Sequence, residues 1–302
     1  MVKGFIRRVL YYLIKLYSTF EFLMYYLIML GLVIFIFIRI FSNSYLNVFQ
    51  KLLTSKGESS SVINFYSYLG LMLIGFMISF KPIFHLELLT PVLIMGFLGS
   101  LGNYFIIKAL SCGELSTLAP INSYKPIVAL VFGIFLLNEM PTATDLAGIV
   151  LIILGTFFLS SYKTLFNKAT FYRFLALIFS GLEAIFIKKI ILLSNIQSAF
   201  LYWAISGFIF AAIFVILSKH KLKIERCNFK FQAFLILMIF LMQYSTNYVF
   251  EKINVAYALA LFQLSTLVSV FLGANVFKER NLAKKIIAAF IMLIGAIILI
   301  LL

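Results

Sequence analysis

Long apolar runs separated by short polar connections are the feature that most constrains how this chain can fold. Two of them, Ile127–Leu137 and Leu146–Leu159, flank a polar turn at Asn138–Thr142. A helix needs roughly 20 consecutive, mostly apolar residues to cross the hydrocarbon core of a bilayer. The 302-residue chain is 64% hydrophobic and 12% charged, and a soluble protein of that size could not bury so much apolar surface. The runs are continuous rather than alternating, which argues against a β-barrel and predicts an all-α membrane protein.

The polar interruptions predict ten transmembrane helices joined by short connections. The predicted spans are Gly31–Leu53, 62–80, 88–110, 115–137, 144–161, 172–193, 197–217, 231–250, 255–277 and 283–302. Residues 1–30 are a basic and apolar extension that lacks the small-residue cleavage site of a signal peptide, so we do not expect cleavage. The extension could be an amphipathic surface helix, an eleventh span, or the product of an upstream start codon.

The net charge of +15 is spread through short connections, of which Tyr162–Phe171 and Ser218–Lys230 are the longest polar ones. Cytoplasmic loops of membrane proteins accumulate Lys and Arg in this way, so we expect a lipid bilayer and no nucleic acid as a partner. With ten spans the basic N-terminus and these connections would face opposite sides. With eleven they would share one side, so the orientation stays open.

The chain offers little for metal binding or for histidine-based catalysis. Cys112 and Cys227 have no metal-ligand spacing and are expected to be free thiols, and His85 and His220 lie in predicted connections without an acidic partner. No phosphate-binding loop of an ATPase is present. We therefore expect no metal, no cofactor and no enzyme activity, although a membrane-embedded lipid- or acyl-modifying enzyme remains the alternative, together with a non-transporting accessory membrane protein.

An internal repeat divides the chain into two halves. Ile40–Leu52 resembles Ile178–Ile190 at an offset of 178 − 40 = 138 residues, and Ile127–Glu139 resembles Leu267–Glu279 at 279 − 139 = 140 residues. Similar segments in the same order at nearly the same offset indicate a duplicated unit. They predict a first repeat at 31–161 and a second at 172–302. Five spans per repeat would invert one repeat relative to the other, which in secondary transporters places the binding site between them near the midplane.

One motif occurs once in each repeat: a polar stretch, an apolar run with a glycine, a glutamate, a turn, and further glycine. It is formed by Pro126, Gly133, Glu139, Gly148 and Gly155 in the first repeat, and by Gly273, Glu279 and Gly295 in the second. This pattern resembles the EamA-type members of the drug/metabolite transporter superfamily. The resemblance implies ten spans in two inverted five-helix repeats, a central cavity and transport of small metabolites. Thr266 replaces the proline of the second repeat, Ala288 stands opposite Gly148, and Ser42-Asn43 replaces the tryptophan-glycine of the first span.

Polar residues inside spans are costly and usually face a cavity or another helix. Lys125 lies between Pro120 and Pro126, where interrupted helical hydrogen bonding could present a cation and backbone groups to a substrate carboxylate. A lysine whose amine reaches the membrane interface is the alternative. Glu183 falls mid-way along the sixth span and is a proton-coupling candidate, or else the partner of a nearby lysine.

The remaining candidates are polar or aromatic residues in or beside the same spans. The substrate-binding set is Lys125, Tyr124, Asn122, Asn103, Gln243, Asn247, Gln263 and Trp203. Hydrogen bonds between helices or contacts with the membrane interface would explain several of them equally well. Five residues are expected to shape the helix hairpins: Pro126, Glu139, Glu279, Gly155 and Gly295.

These observations predict a secondary transporter that exports small organic metabolites, such as amino acids, by alternating access. We expect a multi-pass protein of the cell (inner) membrane that acts as a monomer or a homodimer.

Overall fold

The structure is a computed structural model that describes residues 2–125, 127–128, 131–132, 147–148, 150–151, 154–155, 167–218, 228–279 and 282–301. Its described residues are almost entirely helical, with no strand among them. The long helices are α1 (Val2–Ser55), α2 (Ser60–Ile78), α3 (Leu89–Cys112), α5 (Lys168–Leu193), α6 (Ile196–Ser218), α7 (Phe229–Lys252), α9 (Leu264–Phe277) and α10 (Leu282–Leu301). The short ones are α4 (Leu115–Leu118), α8 (Val255–Leu261) and two 3₁₀ segments, Leu86–Leu88 and Pro120–Tyr124.

Within these ranges six segments are long and apolar enough to cross a membrane. They are Tyr26–Ser55, Ser60–Ile78, Leu86–Cys112, Ile196–Leu217, Phe229–Lys252 and Ala258–Phe277. The prediction of an all-α membrane protein is therefore confirmed, whereas ten spans are not. The predicted spans 115–137 and 144–161 lie largely outside the described residues, and α5 and α10 are helical but are not among the six.

Helix α1 is longer than the first predicted span. It runs without a break over 54 residues, which is about 80 Å at 1.5 Å per residue, against a hydrocarbon core of about 30 Å. Residues 2–30 continue the helix that contains Gly31–Leu53. An antiparallel eleventh span before Gly31 would need a turn there, and α1 contains none.

The predicted span 255–277 is broken rather than continuous. Helix α8 ends at Leu261 and α9 begins at Leu264, although no proline is present. Polar side chains bind the backbone at the break instead: Gln263 Nε2 donates to the carbonyl of Leu259 at 2.7 Å and Ser265 Oγ to that of Phe262 at 2.7 Å. From α1, Ser44 Oγ donates to the carbonyl of Ser265 at 2.8 Å.

The first repeat has a break at a related position. Helix α4 gives way to the 3₁₀ segment Pro120–Tyr124, where proline at the start of the segment cannot donate a backbone hydrogen bond. Leu115 and Val255, which begin α4 and α8, are 255 − 115 = 140 residues apart. Both repeats therefore interrupt a helix at matching positions, one with proline and one with polar side chains.

The two repeats interlock. Helix α1 packs mainly against α7 and α9, and α3 packs mainly against α5 and α6. Small residues permit this closeness, because a Cβ atom on Gly96 of α3 would lie 2.3 Å from Cβ of Ser206 on α6. Among the described residues, the largest helix contacts therefore lie between the repeats.

One end of the bundle collects the C-terminal ends of α1, α3 and α9 with the N-terminal ends of α4, α5 and α10. Lys51 of α1 pairs with Glu279 after α9, and Lys285 of α10 pairs with Glu114 before α4. Because α1 ends where α5 begins, the first helix of each repeat runs in the opposite direction. We call this end the basic face, because it also presents Lys56, Lys168, Lys278 and Lys284.

Candidate functional site

A cavity of about 100 Å³ lies between the repeats. A water needs roughly 10–15 Å³, so the cavity has room for about seven to ten water-sized atoms. Both helix breaks border it, through Asn122 and Lys125 in the first repeat and Phe262, Gln263 and Ser265 in the second. Its other polar and charged lining residues are Arg39, Asn43, Asn47, Tyr68, Asn103, Arg173, Ser180, Glu183, Trp203, Gln243 and Thr246.

Arg39 is anchored at one nitrogen and open at another. Its Nε donates to Thr246 Oγ1 at 2.7 Å, and its guanidinium carbon lies 4.7 Å from the ring centre of Phe262. The side chain is buried, with 7% of the residue exposed. Among the described residues its Nη1 has no hydrogen-bond partner. The planar, five-donor guanidinium is therefore held by its inner nitrogen with a terminal donor left unused.

Arg173 repeats the arrangement from the other repeat. Its Nε donates to the carbonyl of Leu118 at 3.2 Å, the last residue of α4 before the break. Only 3% of the residue is exposed. Its Nη1 likewise has no partner within the described part of the chain. Such unpaired buried donors are uncommon in native structures.

Lys125 follows directly after the 3₁₀ segment and brings a third positive charge to the cavity. Arg39, Arg173 and Glu183 line the same cavity. Within the described ranges none of the three cations forms an ion pair with a carboxylate.

Among the described residues, one side-chain donor binds Glu183. Trp203 Nε1 donates to Glu183 Oε1 at 2.6 Å. Gly99 makes room for the carboxylate, because a Cβ there would lie 2.1 Å from Oε1. The cavity is therefore lined, among the described residues, by three cationic side chains and one anionic side chain.

The amides divide between lining and packing. Asn103 accepts from Gln50 Nε2 at 2.9 Å and donates to Asn64 Oδ1 at 2.6 Å. Gln243 Nε2 donates to Asn247 Oδ1 at 2.9 Å, and Asn247 is fully buried. Asn103 and Gln243 border the cavity while they also join helices.

Seven residues from the predicted set border this cavity: Lys125, Asn122, Asn103, Gln243, Gln263, Trp203 and Glu183. Tyr124 and Asn247 are not part of its lining. The ring of Tyr124 packs 5.6 Å from that of Phe174, and Asn247 Nδ2 donates to the carbonyl of Ile196 at 3.4 Å. Pro126 and Glu139 lie outside the described residues.

Sequence reasoning missed Arg39 and Arg173, the two most buried cations of the cavity. Arg39 lies inside the apolar run Gly31–Leu53, and an ionisable residue inside a span is by default a functional candidate. The residue type and its place in the span were therefore the signal that could have found it. Arg173 is the second residue of its predicted span 172–193 and follows directly on the basic connection Tyr162–Phe171.

Glu279 has a different environment at the basic face. Lys51 Nζ lies 2.5 Å from its Oε1, and the backbone N–H groups of Leu115 and Ser116 donate to its two oxygens at 2.8 Å each. Burial by itself raises the pKa of Glu279, but the hydrogen bonds from Lys51 and Ser116 outweigh it and hold the pKa below its usual value. The carboxylate thus pairs with α1 and caps α4.

Two remaining members of the structural set, Gly155 and Gly295, are buried helical residues.

No group of three or more His, Cys, Asp or Glu side chains that could hold a metal ion occurs among the described residues.

The comparisons agree with this architecture. The sequence profile of the EamA-like transporter family matches residues 30–161 and 167–301. No curated protein matches the chain. One solved crystal structure superposes with a TM-score of 0.66 at 12% sequence identity, over 88% of this chain and 95% of that chain, which is a likeness of fold. Because the family profile covers most of the sequence in two copies, the chain belongs to the EamA-like transporter family of multi-pass membrane proteins that transport small molecules.

Proposed function

We propose that this protein is a secondary transporter that exports a small organic solute across the cell (inner) membrane by alternating access between two inverted five-helix repeats. The observation that supports it best is the cavity between the repeats, which both helix breaks border. Broken helices at a repeat interface are the usual setting of a transporter site, because freed backbone groups and polar side chains can contact the solute there.

The contacts at the basic face suggest which end of the cavity is closed. Polar contacts join the repeats there, among them Lys51 with Glu279, Lys285 with Glu114, and Asn228 Nδ2 with Glu58 Oε1 at 2.8 Å. Rocking the repeats apart at this end would have to break them. We propose that these contacts close the cavity on this side. Solute binding and release would then change the fraction of molecules in which the contacts are formed.

The charge distribution supports a cytoplasmic position for the basic face. Cys112 is exposed at this face and provides a probe. In inside-out membrane vesicles of a Cys227→Ser variant, a membrane-impermeant maleimide should label Cys112, whereas in right-side-out vesicles it should not. The reverse pattern would place the basic face outside the cell.

Transport itself is tested by flux in proteoliposomes that contain the purified full chain. Radiolabelled solutes of several charge classes should include at least one that equilibrates faster than in protein-free liposomes. Lys125→Ala and Glu183→Gln should each reduce that flux strongly while expression stays normal, because both remove charges that border the cavity. Folded protein that moves no solute would favour an accessory role and contradict transport.

Proton coupling by Glu183 is a separate part of the proposal. Its carboxylate borders the cavity with Trp203 as its side-chain donor, so a proton on Glu183 could alternate with the solute. An imposed pH gradient should accelerate flux in the natural protein but not in Glu183→Gln. Equal acceleration in both would leave facilitated exchange as the mechanism.

A further inference from the structure

Two arginines, each with an unpaired terminal nitrogen, border a cavity in which Glu183 is the one carboxylate among the described residues. Arg39 and Arg173 are each nine-tenths or more buried and each is anchored through Nε. In the described chain each leaves Nη1 without a partner. A buried charge without a counter-charge is costly, and an arginine pair is well suited to carboxylate or phosphate, whose oxygens accept two parallel hydrogen bonds from one guanidinium.

The charge balance narrows the ligand further. Among the described lining residues, Arg39, Arg173 and Lys125 against Glu183 leave two more positive than negative charges when all four are ionised. A neutral solute would leave this excess in place. A zwitterionic amino acid would also leave it, and its ammonium group would meet three cations. A solute with two negative charges would cancel the excess.

We infer that the transported solute is a small organic dianion, with carboxylate or phosphate groups that bind Arg39 and Arg173. This inference rests on the proposed transport function and narrows the sequence-based expectation of amino acids. Arg39 belongs to the first repeat and Arg173 to the second. One solute therefore bridges the two halves, and its binding is coupled to their relative movement.

The size of the cavity is consistent with such a solute. Its room for about seven to ten water-sized atoms accommodates succinate, with eight non-hydrogen atoms, or glycerol 3-phosphate, with ten. Phe262 supports this placement, because its ring lies against the guanidinium of Arg39 and restricts how the group can turn.

The experiment is a flux panel in proteoliposomes that contain the full chain. It compares succinate and glycerol 3-phosphate with succinamide, which has the size of succinate but no charge, with alanine, and with inorganic phosphate. We expect flux of one or both organic dianions and background flux of succinamide and alanine. The better dianion identifies the acidic group as carboxylate or phosphate.

The variants Arg39→Gln and Arg173→Gln test the site. Each should raise the apparent KM for the dianion by at least about tenfold, since a charge-assisted hydrogen bond is lost. Lys189→Gln is the matched control, because Lys189 is an exposed cation on the same helix as Arg173. The apparent KM of this variant for the dianion should stay unchanged. Thermal unfolding in detergent confirms that each variant is folded.

The outcomes separate the inference from the function on which it rests. Flux of succinamide or alanine without flux of a dianion would overturn the inference and leave the transporter intact. If inorganic phosphate crosses the membrane as fast as the organic dianions, the inference that the solute is organic would be overturned. Dianion-dependent thermal stabilisation that requires both arginines, without any flux, would support the anion site and contradict transport. Neither flux nor stabilisation by any panel member would contradict both.

Discussion

Cationic side chains occur in two regions of this molecule with opposite environments. At the basic face, Lys51 and Lys285 each pair with a carboxylate, Glu279 and Glu114 respectively. In the cavity, Arg39 and Arg173 are similarly buried but have no carboxylate partner among the described residues. This difference distinguishes charged residues that stabilise the fold from charged residues that bind a ligand. The first kind is satisfied within the chain, and the second is satisfied only when a solute is present.

The largest expected effect comes from breaking the paired region. Glu279→Gln leaves Lys51 without its counter-charge and weakens the cap on α4, so it should lower the free energy of unfolding by about 3 kcal/mol. Chemical or thermal unfolding in detergent measures it. Glu251→Gln is the matched control, because the Lys252–Glu251 pair is more exposed and its loss should cost under about 1 kcal/mol. Equal losses of unfolding free energy in the two variants would show that burial does not strengthen the Lys51–Glu279 pair.

A somewhat smaller effect is expected from crowding the cavity. Gly99→Ala places a methyl group 2.1 Å from Glu183 Oε1, and overpacking of this kind costs about 2 kcal/mol. It should also displace Glu183 from Trp203 and reduce flux. In Gly102→Ala the nearest atom would be 3.4 Å from the added methyl group, so stability and flux should change far less. A Gly99→Ala variant with normal stability and flux would show that Glu183 need not occupy this position.

The sequence was sufficient for the parts of the site that local patterns mark. Lys125 stands out because prolines flank it, and Glu183 because it interrupts a span. The break at Phe262–Gln263 could not be predicted, since no proline marks it and the side chains that stabilise it include Ser44, more than 200 positions away. The partner of Lys51 is 228 residues distant in sequence, and no local periodicity identifies such a pair.

The position of Tyr124 shows a related limit. The prolines predict an interruption of the helix near Lys125 but not its geometry, and Pro120–Tyr124 is 3₁₀, with three residues per turn. The change in twist alters which side chains share a face. Asn122 and Lys125 border the cavity, whereas Tyr124 packs against Phe174.

A pH titration sharpens the comparison with a smaller effect. The folded protein holds the pKa of Glu279 below its usual value, so this carboxylate stabilises the fold fully above the ordinary glutamate pKa. The stabilisation is lost as the pH falls through the lower folded pKa. The difference in unfolding midpoint between the natural protein and Glu279→Gln should therefore shrink on acidification. A difference that stays constant or grows would contradict the assignment.

The most direct test of the central claim is the unfolding free energy of Arg39→Gln without and with succinate or glycerol 3-phosphate. Without a solute the substitution should be neutral or stabilising, because it removes a buried charge that lacks a counter-charge, in contrast to Glu279→Gln. With a saturating dianion the natural protein should gain stability and Arg39→Gln should not. A substitution as destabilising as Glu279→Gln in the absence of any solute would show that Arg39 holds the fold, and would contradict the distinction between the two regions.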